Sequence, residues 1–191
     1  MSTAAYAGVR PARHGDLDAL AQLAAAVATQ PLLRRYGVSE AGLFRELERI
    51  VKDRARQWAG STGPLPSSDA ECLLLAHGPA AAPAAAAAAP ADAAELWGLA
   101  RFCSRGQFGN GGYLRLLALR PGCEGRGIGT LLLRAVEDEV KQHSSALFLL
   151  TSDFNTGAQR FYARHGYAPA GTLPDFARPG ITENIFWKRL R

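Results

Sequence analysis

LLALRPGCEGRGIGTLLLRAV, residues 116–136, joins two apolar runs through a glycine-rich turn. The runs differ in period. GYLRLLALR (112–120) leads in as a short, nearly continuous apolar segment, as a buried strand does. Beyond the turn Ile128, Leu131, Leu132, Ala135, Val136 and Val140 form one helical stripe, with Arg134, Glu137, Asp138 and Lys141 on the other face. The first N–H groups of such a helix have no carbonyl behind them and carry the positive end of its dipole. Gly125, Gly127 and Gly129 let that backbone approach an anion without an intervening Cβ, and Arg126 adds a charged donor. The spacing is not that of a dinucleotide fold, because Leu132 stands where a third glycine belongs. It is not a P-loop either, since no Gly-Lys-Ser/Thr follows. Glu124 also puts a carboxylate into the turn. Taken alone, the stretch reads equally well as an anion cradle or as a tight strand-to-helix connection.

Further out, the apolar pattern continues in discrete segments. YAGVR (6–10) predicts a first strand, and Leu17, Leu20, Ala21, Ala24 and Ala28 recur at helical spacing. Ser39 is a cap for a second helix with Leu43, Leu47, Ile50 and Val51 on one face. CLLLAH (72–77), ELWGLARFC (95–103) and GYLRLLALR predict three strands, the last two joined by a hairpin at Asn110-Gly111. ALFLLT (146–151) is apolar throughout, as expected of a central strand. Thr156 and Gln159 have capping-box spacing ahead of Ala158, Phe161, Tyr162 and His165, and Gly166 ends that helix. YAPAGTL and GITENIFWKRL close the chain as strands. The predicted order is β-α-α-β-β-β-α-β-α-β-β. Two stretches interrupt it: the turn-rich GSTGPLPSSD (60–69), and an Ala/Pro-rich segment centred on 79–91, expected to be a disordered loop over 78–94.

Composition narrows the function classes. The 191 residues fit one domain, 1–191, and 48% hydrophobic with 20% charged residues is ordinary for a globular chain. No run of about 20 apolar residues predicts a membrane span. The first residues lack a basic segment followed by a leucine-rich one, so no secretory signal is expected and the cytoplasm is the expected location. Cys72, Cys103 and Cys123, like His14, His77, His143 and His165, are scattered without metal-ligand spacing, so no metal site is expected. A net charge of +5 and a pI near 9.4 suit an anionic ligand. The basic residues are dispersed, however, with no Lys/Arg run and no RNA-binding aromatic motif, so no nucleic-acid partner is expected.

Two features outside the opening stretch complete a pattern: Asn155 after the apolar strand, and FYARHGY (161–167) on the helix that follows. Gly127, Gly129, Asn155, Ala158, Tyr162, Gly166 and Tyr167, in this order around a strand, resemble the GNAT superfamily of acetyl-CoA-dependent N-acetyltransferases. VRPARHGDLDALAQL at the start is similar to that family's first strand and helix. The resemblance covers nearly the whole chain apart from the alanine-rich loop. It implies an α/β (α+β) fold: a mixed, mostly antiparallel sheet with a splayed central strand pair and helices on both faces. It also implies that pantetheine inserts at the splay, with the backbone of Leu117, Ala118 and Leu119 beside it. The N–H groups of Glu124, Gly125, Arg126, Gly127, Ile128, Gly129 and Thr130 would hold the pyrophosphate. The family pattern has Gln or Arg where Glu124 stands, so the Glu124 side chain is expected to point away and its amide to serve.

The implied reaction is attack of a neutral amine on the acetyl thioester, producing an oxyanion and then a thiolate. Backbone N–H groups of Leu117 or Leu119 are candidates to stabilise the oxyanion. Tyr162, one turn before Gly166, stands where family members often place a tyrosine near the sulfur, and is the candidate general acid. Asn155 is a candidate for the cofactor arm, or organises the turn before the helix. The strand glutamate common as a base in the family is missing from YLRLLALR. Asp153, Glu183, Glu71 and Glu95 are the carboxylates available, Asp153 and Glu183 being the candidates carried forward; a water chain would need none of them. Acceptor recognition is expected from 30–40, the 107–112 hairpin and 173–183, with Tyr36 and Phe176 walling a pocket and Arg34 and Arg35 able to meet a carboxylate.

The leading reading is therefore a monomeric or homodimeric enzyme using acetyl-CoA as cosubstrate to acetylate a primary amine of a small molecule or peptide. A GNAT-fold protein that holds acyl-CoA without catalysis is the alternative. A nucleic-acid-binding domain is a third reading, suggested by the pI alone.

Overall fold

The computed structural model describes residues 8–58, 71–78, 95–109 and 111–191. Its elements are β1 (Val9–Pro11), α1 (Leu17–Ala28), α2 (Pro31–Arg35), α3 (Glu40–Trp58), β2 (Glu71–His77), β3 (Leu96–Gln107), β4 (Gly111–Leu119), α4 (Ile128–Lys141), β5 (Ala146–Ser152), α5 (Thr156–Arg164), β6 (Ala168–Pro174) and β7 (Thr182–Arg189). The strands form one seven-stranded sheet in the order β1-β2-β3-β4-β5-β7-β6. Pairing is antiparallel for β1/β2, β5/β7 and β6/β7, and parallel for β4/β5. The β3–β4 link is too short for anything but an antiparallel hairpin. The mixed, mostly antiparallel sheet expected from the sequence is thus present.

The parallel β4/β5 register runs from Gly111↔Ala146 to Leu114↔Leu149. Both strands then continue, β4 to Leu119 and β5 to Ser152, and among the described residues no ladder pair joins them past Leu114. β5 stays paired with β7 along its whole length. The β4/β5 ladder therefore ends at Leu114↔Leu149, before either strand does.

The chain divides into two compact units, with boundaries inside β2, β3, β4 and α4. The first holds β1, α1 to α3, β2 from Cys72, β3 to Ala100, β4 from Leu117 and α4 to Ala135. Its core joins Leu20, Leu23 and Val27 of α1 to Leu47 and Ile50 of α3, all at most 2% exposed. Gly98 of β3 is required by close approach: a Cβ there would lie 2.9 Å from the Ala118 carbonyl oxygen and 2.6 Å from Leu119 Cδ2. The second unit holds Glu71, Arg101–Leu116 and 136–191. Its core includes Phe102, Val136, Val140, Leu147 and Leu149. There Glu137 accepts hydrogen bonds from Tyr167 Oη (3.0 Å) and Lys188 Nζ (2.9 Å), tying α4 to β7 and to the residue after Gly166.

Several local expectations shift. β1 begins at Val9 rather than at residue 6, and 1–7 lie outside the described residues. The connection at 30–40 contains a helical turn, α2, started by Pro31 at its first position. Ser39 caps α3 as expected, its Oγ accepting from Gly42 N at 3.1 Å. The hairpin turn falls on Phe108 (φ 49°) and Gly109 (φ 81°), while Gly111 opens β4 and Asn110 lies outside the described residues. The cap of α5 is Asn155, not Thr156: Asn155 Oδ1 accepts from Ala158 N at 3.2 Å, and Gln159 Nε2 reaches back to the carbonyls of Ser152 and Asp153. Gly166 (φ 84°) does end that helix, with Tyr167 N bonding to Tyr162 O at 3.1 Å. Residues 60–69, and 79–94 of the 78–94 loop, lie outside the described residues.

Candidate active site

The glycine turn is built by backbone conformation. Gly122, Gly125 and Gly127 have φ of 85°, 72° and 81°, a region costly to any residue with a Cβ. A Cβ at any of the three would meet nothing within 4 Å, so no neighbouring protein atoms exclude a side chain there. Leu131 N reaches back along α4, bonding to Gly127 O at 3.0 Å. The amides of Ile128 and Gly129 precede it and have no carbonyl one turn earlier within the helix. Glu124, Gly125, Arg126 and Gly127 are exposed, and Cys123 is buried beneath them. Burial pushes the Cys123 thiol above its ordinary pKa.

The Glu124 carboxylate is turned back on the loop, where Oε2 accepts the Gly122 N–H at 2.8 Å. Cys123 N bonds to Arg120 O at 3.0 Å and closes the turn. Arg120 Nε donates to Leu96 O at 2.9 Å, and the Arg126 guanidinium lies 5.7 Å from the Trp97 ring centre. Both arginines therefore brace the loop against β3.

The backbone of β4 alternates. Arg120 N bonds to Trp97 O at 2.8 Å, and the Ala118 carbonyl lies against Gly98, so both residues face β3. Leu117 and Leu119 present their polar backbone groups to the other edge. There the Leu119 carbonyl accepts a hydrogen bond from Gln30 Nε2 at 2.7 Å. Gln30 was not singled out by the sequence reading. The available signal was its place before Pro31, which holds it extended at the entry to α2.

In the second unit, Tyr162 is 8% exposed and its ring packs edge-on against Phe161 (5.2 Å) and Tyr167 (5.6 Å). Among the described residues its hydroxyl makes no hydrogen bond. Burial pushes its pKa well above the ordinary tyrosine value, so it is protonated at neutral pH. Glu183 of β7 is 4% exposed and stands opposite Ser152 of β5. Asp153 is exposed and its Oδ1 accepts the Phe154 N–H at 2.8 Å. Asn155 Oδ1 is engaged in capping α5. Tyr36 is half-buried at the end of α2, and Phe176, 64% exposed, lies in the β6–β7 loop. Among the described residues no group of three His, Cys, Asp or Glu side chains could hold a metal, and no helix is long and apolar enough to cross a membrane.

A mixed sheet in which one strand passes through a positive-φ glycine turn into a helix start places the chain in the α/β class. The chain matches the model of the Acetyltransferase (GNAT) family over residues 45–167 and belongs to that family. It is 30% identical over 78 residues to Blasticidin-S acetyltransferase of Streptomyces morookaense, covering 41% of this chain and 57% of that one. It is 36% identical over 61 residues to the uncharacterized protein YdhI of Bacillus subtilis, covering 31% of this chain and 38% of that one. The chain thus spans less than two thirds of the length of the curated relatives it matches. Among solved structures, a GNAT-family chain from Desulfovibrio desulfuricans superposes with a TM-score of 0.66 at 16% identity, covering 96% of this chain and 99% of that one. An N-acetyltransferase from Staphylococcus aureus superposes with a TM-score of 0.65 at 15% identity, covering 98% and 100%. At these identities the likeness is one of fold.

Proposed function

We propose that the chain transfers the acetyl group of acetyl-CoA to a primary amine of a small molecule or peptide. The observation that carries this reading is the open glycine turn at the start of α4. Exposed backbone at 125–127, the amides of Ile128 and Gly129 and the Arg126 side chain form a donor set that fits a diphosphate. Thr130 completes the helix start. Glu124 contributes its amide, since its carboxylate is engaged with Gly122. Leu117 and Leu119 supply strand-like backbone for the pantetheine arm, whereas Ala118 is turned towards β3. Asn155 orients the start of α5 through its cap. A name among the relatives, that of the Streptomyces morookaense protein, specifies a small molecule, blasticidin S, which favours a small-molecule acceptor.

Acetyl-CoA, when bound, supplies the activated thioester. The chain must then hold a neutral amine, shield the developing oxyanion and meet the departing sulfur. An alkylamine has a pKa of about 10.4 and arrives protonated at neutral pH, so a proton acceptor is needed. We assign this role to Glu183 rather than Asp153, because Glu183 is buried while Asp153 is exposed and bonded to its neighbour's amide. The Leu117 and Leu119 amides are the oxyanion donors. Tyr162 meets the sulfur with its unengaged hydroxyl. Its raised pKa lies further above that of a thiol, about 8.5, than an ordinary tyrosine's does. The phenol therefore stabilises the thiolate as a hydrogen-bond donor and keeps its own proton, and the thiolate is protonated from solvent as CoA leaves. The enzyme works in the cytoplasm as a single domain over residues 1–191, a reading supported by the four elements, β2, β3, β4 and α4, that continue across both compact units.

The test is thiol release from acetyl-CoA across a panel of amines. Tyr162→Phe removes a hydroxyl with no hydrogen-bond partner among the described residues, so the melting temperature should stay within about a degree while kcat falls roughly 10- to 100-fold. Binding of CoA with no turnover on any amine would instead support the non-catalytic alternative.

A further inference from the structure

One charged cluster takes no part in the mechanism above. In the second unit Glu71, at the start of β2, receives two guanidinium groups. Arg101 of β3 donates through Nε (2.9 Å) and Nη2 (2.6 Å) to Oε1, and Arg115 of β4 lies with Nε 3.0 Å from the same oxygen. Two guanidinium groups thus share one carboxylate oxygen. Arg101 and Glu71 are each only 14% exposed, whereas Arg115 keeps 42% of its side chain exposed. Arg115 is therefore the member of the cluster that presents its charge to solvent. Its guanidinium also lies over the Tyr113 ring, 5.3 Å from the ring centre. An arginine immobilised in this way has little rotamer freedom left to lose when an anion binds.

Its position gives that charge a use. Arg115 is the first residue of β4 beyond the last β4/β5 pair, Leu114↔Leu149. By strand alternation it shares a face with Tyr113 and with Leu117, two residues further on. Arg115 and Glu183 both act electrostatically on the Tyr113 phenol, with opposite signs. The register partner of Tyr113 is Phe148, which is half-buried and stacks on Trp187 at 6.1 Å. This face thus offers a fixed cation, a buried carboxylate and aromatic surface together.

We propose that Arg115 sets acceptor specificity by pairing with an anionic group on the acceptor, so that the preferred substrate is an amine carrying a carboxylate. The inference rests on the N-acetyltransferase reading. A carboxylate paired with Arg115 leaves the amine on the side of Glu183, and the aromatic surface takes an apolar side chain. Charge complementarity selects a zwitterionic amino-carboxylate over a simple polyamine, whose second cation Arg115 repels.

The test compares L-phenylalanine with L-phenylalaninamide as acceptors in the thiol-release assay, using wild type, Arg115→Gln and Arg115→Lys. Wild type should favour the free carboxylate at least tenfold in kcat/KM. Arg115→Gln should raise KM for phenylalanine about tenfold and change the amide less than threefold. Arg115→Lys, which keeps the charge but not the planar fork, should fall between. Equal use of the two acceptors by wild type, or equal loss on both in Arg115→Gln, overturns the inference and leaves the acetyltransferase reading intact. Failure of every amine in the panel overturns that reading instead. In that case calorimetry with N-acetyl-L-phenylalanine and its amide still decides the role of Arg115. Binding of the acid alone, lost in folded Arg115→Gln and partly kept in Arg115→Lys, supports it; binding of neither, or of both alike, ends it.

Discussion

Glu124 is the residue whose chemistry conflicts most with its setting, a carboxylate in a turn shaped for an anion. Its side chain meets the Gly122 N–H and so consumes a donor that would otherwise face solvent. Glu124→Gln keeps an acceptor oxygen for that amide and removes the charge. CoA affinity, measured by calorimetry, should stay equal or tighten by a fewfold; a tenfold loss would mean that the carboxylate itself is needed. Gly127→Ala acts differently. Open space surrounds the added methyl, but φ of 81° costs a non-glycine residue about 1–2 kcal/mol. The turn should relax away from this geometry, with a stability loss of about 1 kcal/mol and at least a tenfold loss of CoA affinity. Sequence alone marks these glycines, because alternating glycines before a helical stripe are visible in one dimension. It does not reveal the partners of Glu124, Gln30 or Arg115, since each depends on which strand or loop is brought alongside.

Elements were legible wherever a long stripe or an unbroken apolar run dominated, as in α1, α3, α4 and β5. Their ends were less so, because caps are decided by a single hydrogen bond. Asn155 takes the cap of α5 in place of Thr156, and Gln159 serves the preceding carbonyls. The hairpin turn moved to Phe108–Gly109 because β3 runs on to Gln107, longer than its apolar core indicated. The link from β1 to α1 is held by an ion pair that periodicity cannot show: Arg10 Nη2 lies 2.6 Å from Asp16 Oδ1. Burial alone would raise the Asp16 pKa, but hydrogen bonds from Arg10 and from the Arg13 amide outweigh it, and the carboxyl is held below its ordinary value. A depressed folded-state pKa contributes stability that is complete above the unfolded value of about 3.9 and is lost as pH falls through the folded one. Asp16→Asn should therefore cost about 1–2 kcal/mol in urea unfolding at pH 7 and progressively less below pH 4. An equal cost at every pH would show that the pair contributes through packing instead.

For the chain as a whole, the connection between β2 and β3 is anchored at its stem. Gly78 N bonds to Glu95 O at 2.9 Å, so the chain leaves and re-enters the fold at one point. Deleting 79–91 keeps a three-residue link between those ends and lowers the entropic cost of closing the loop by about 1 kcal/mol. The melting temperature should hold or rise slightly and CoA affinity should not change; a fall of several degrees would assign that segment a structural role. The local order of strands and helices, the glycine turn and the family pattern followed from the sequence alone, because period, turn chemistry and spacing are properties of neighbours along the chain. The end of the β4/β5 ladder at Leu114, the capture of the Leu119 carbonyl by Gln30 and the meeting of Glu71, Arg101 and Arg115 emerged only on folding. Each joins residues far apart in sequence, and whether their polar groups meet depends on strand order and register, which no local pattern encodes.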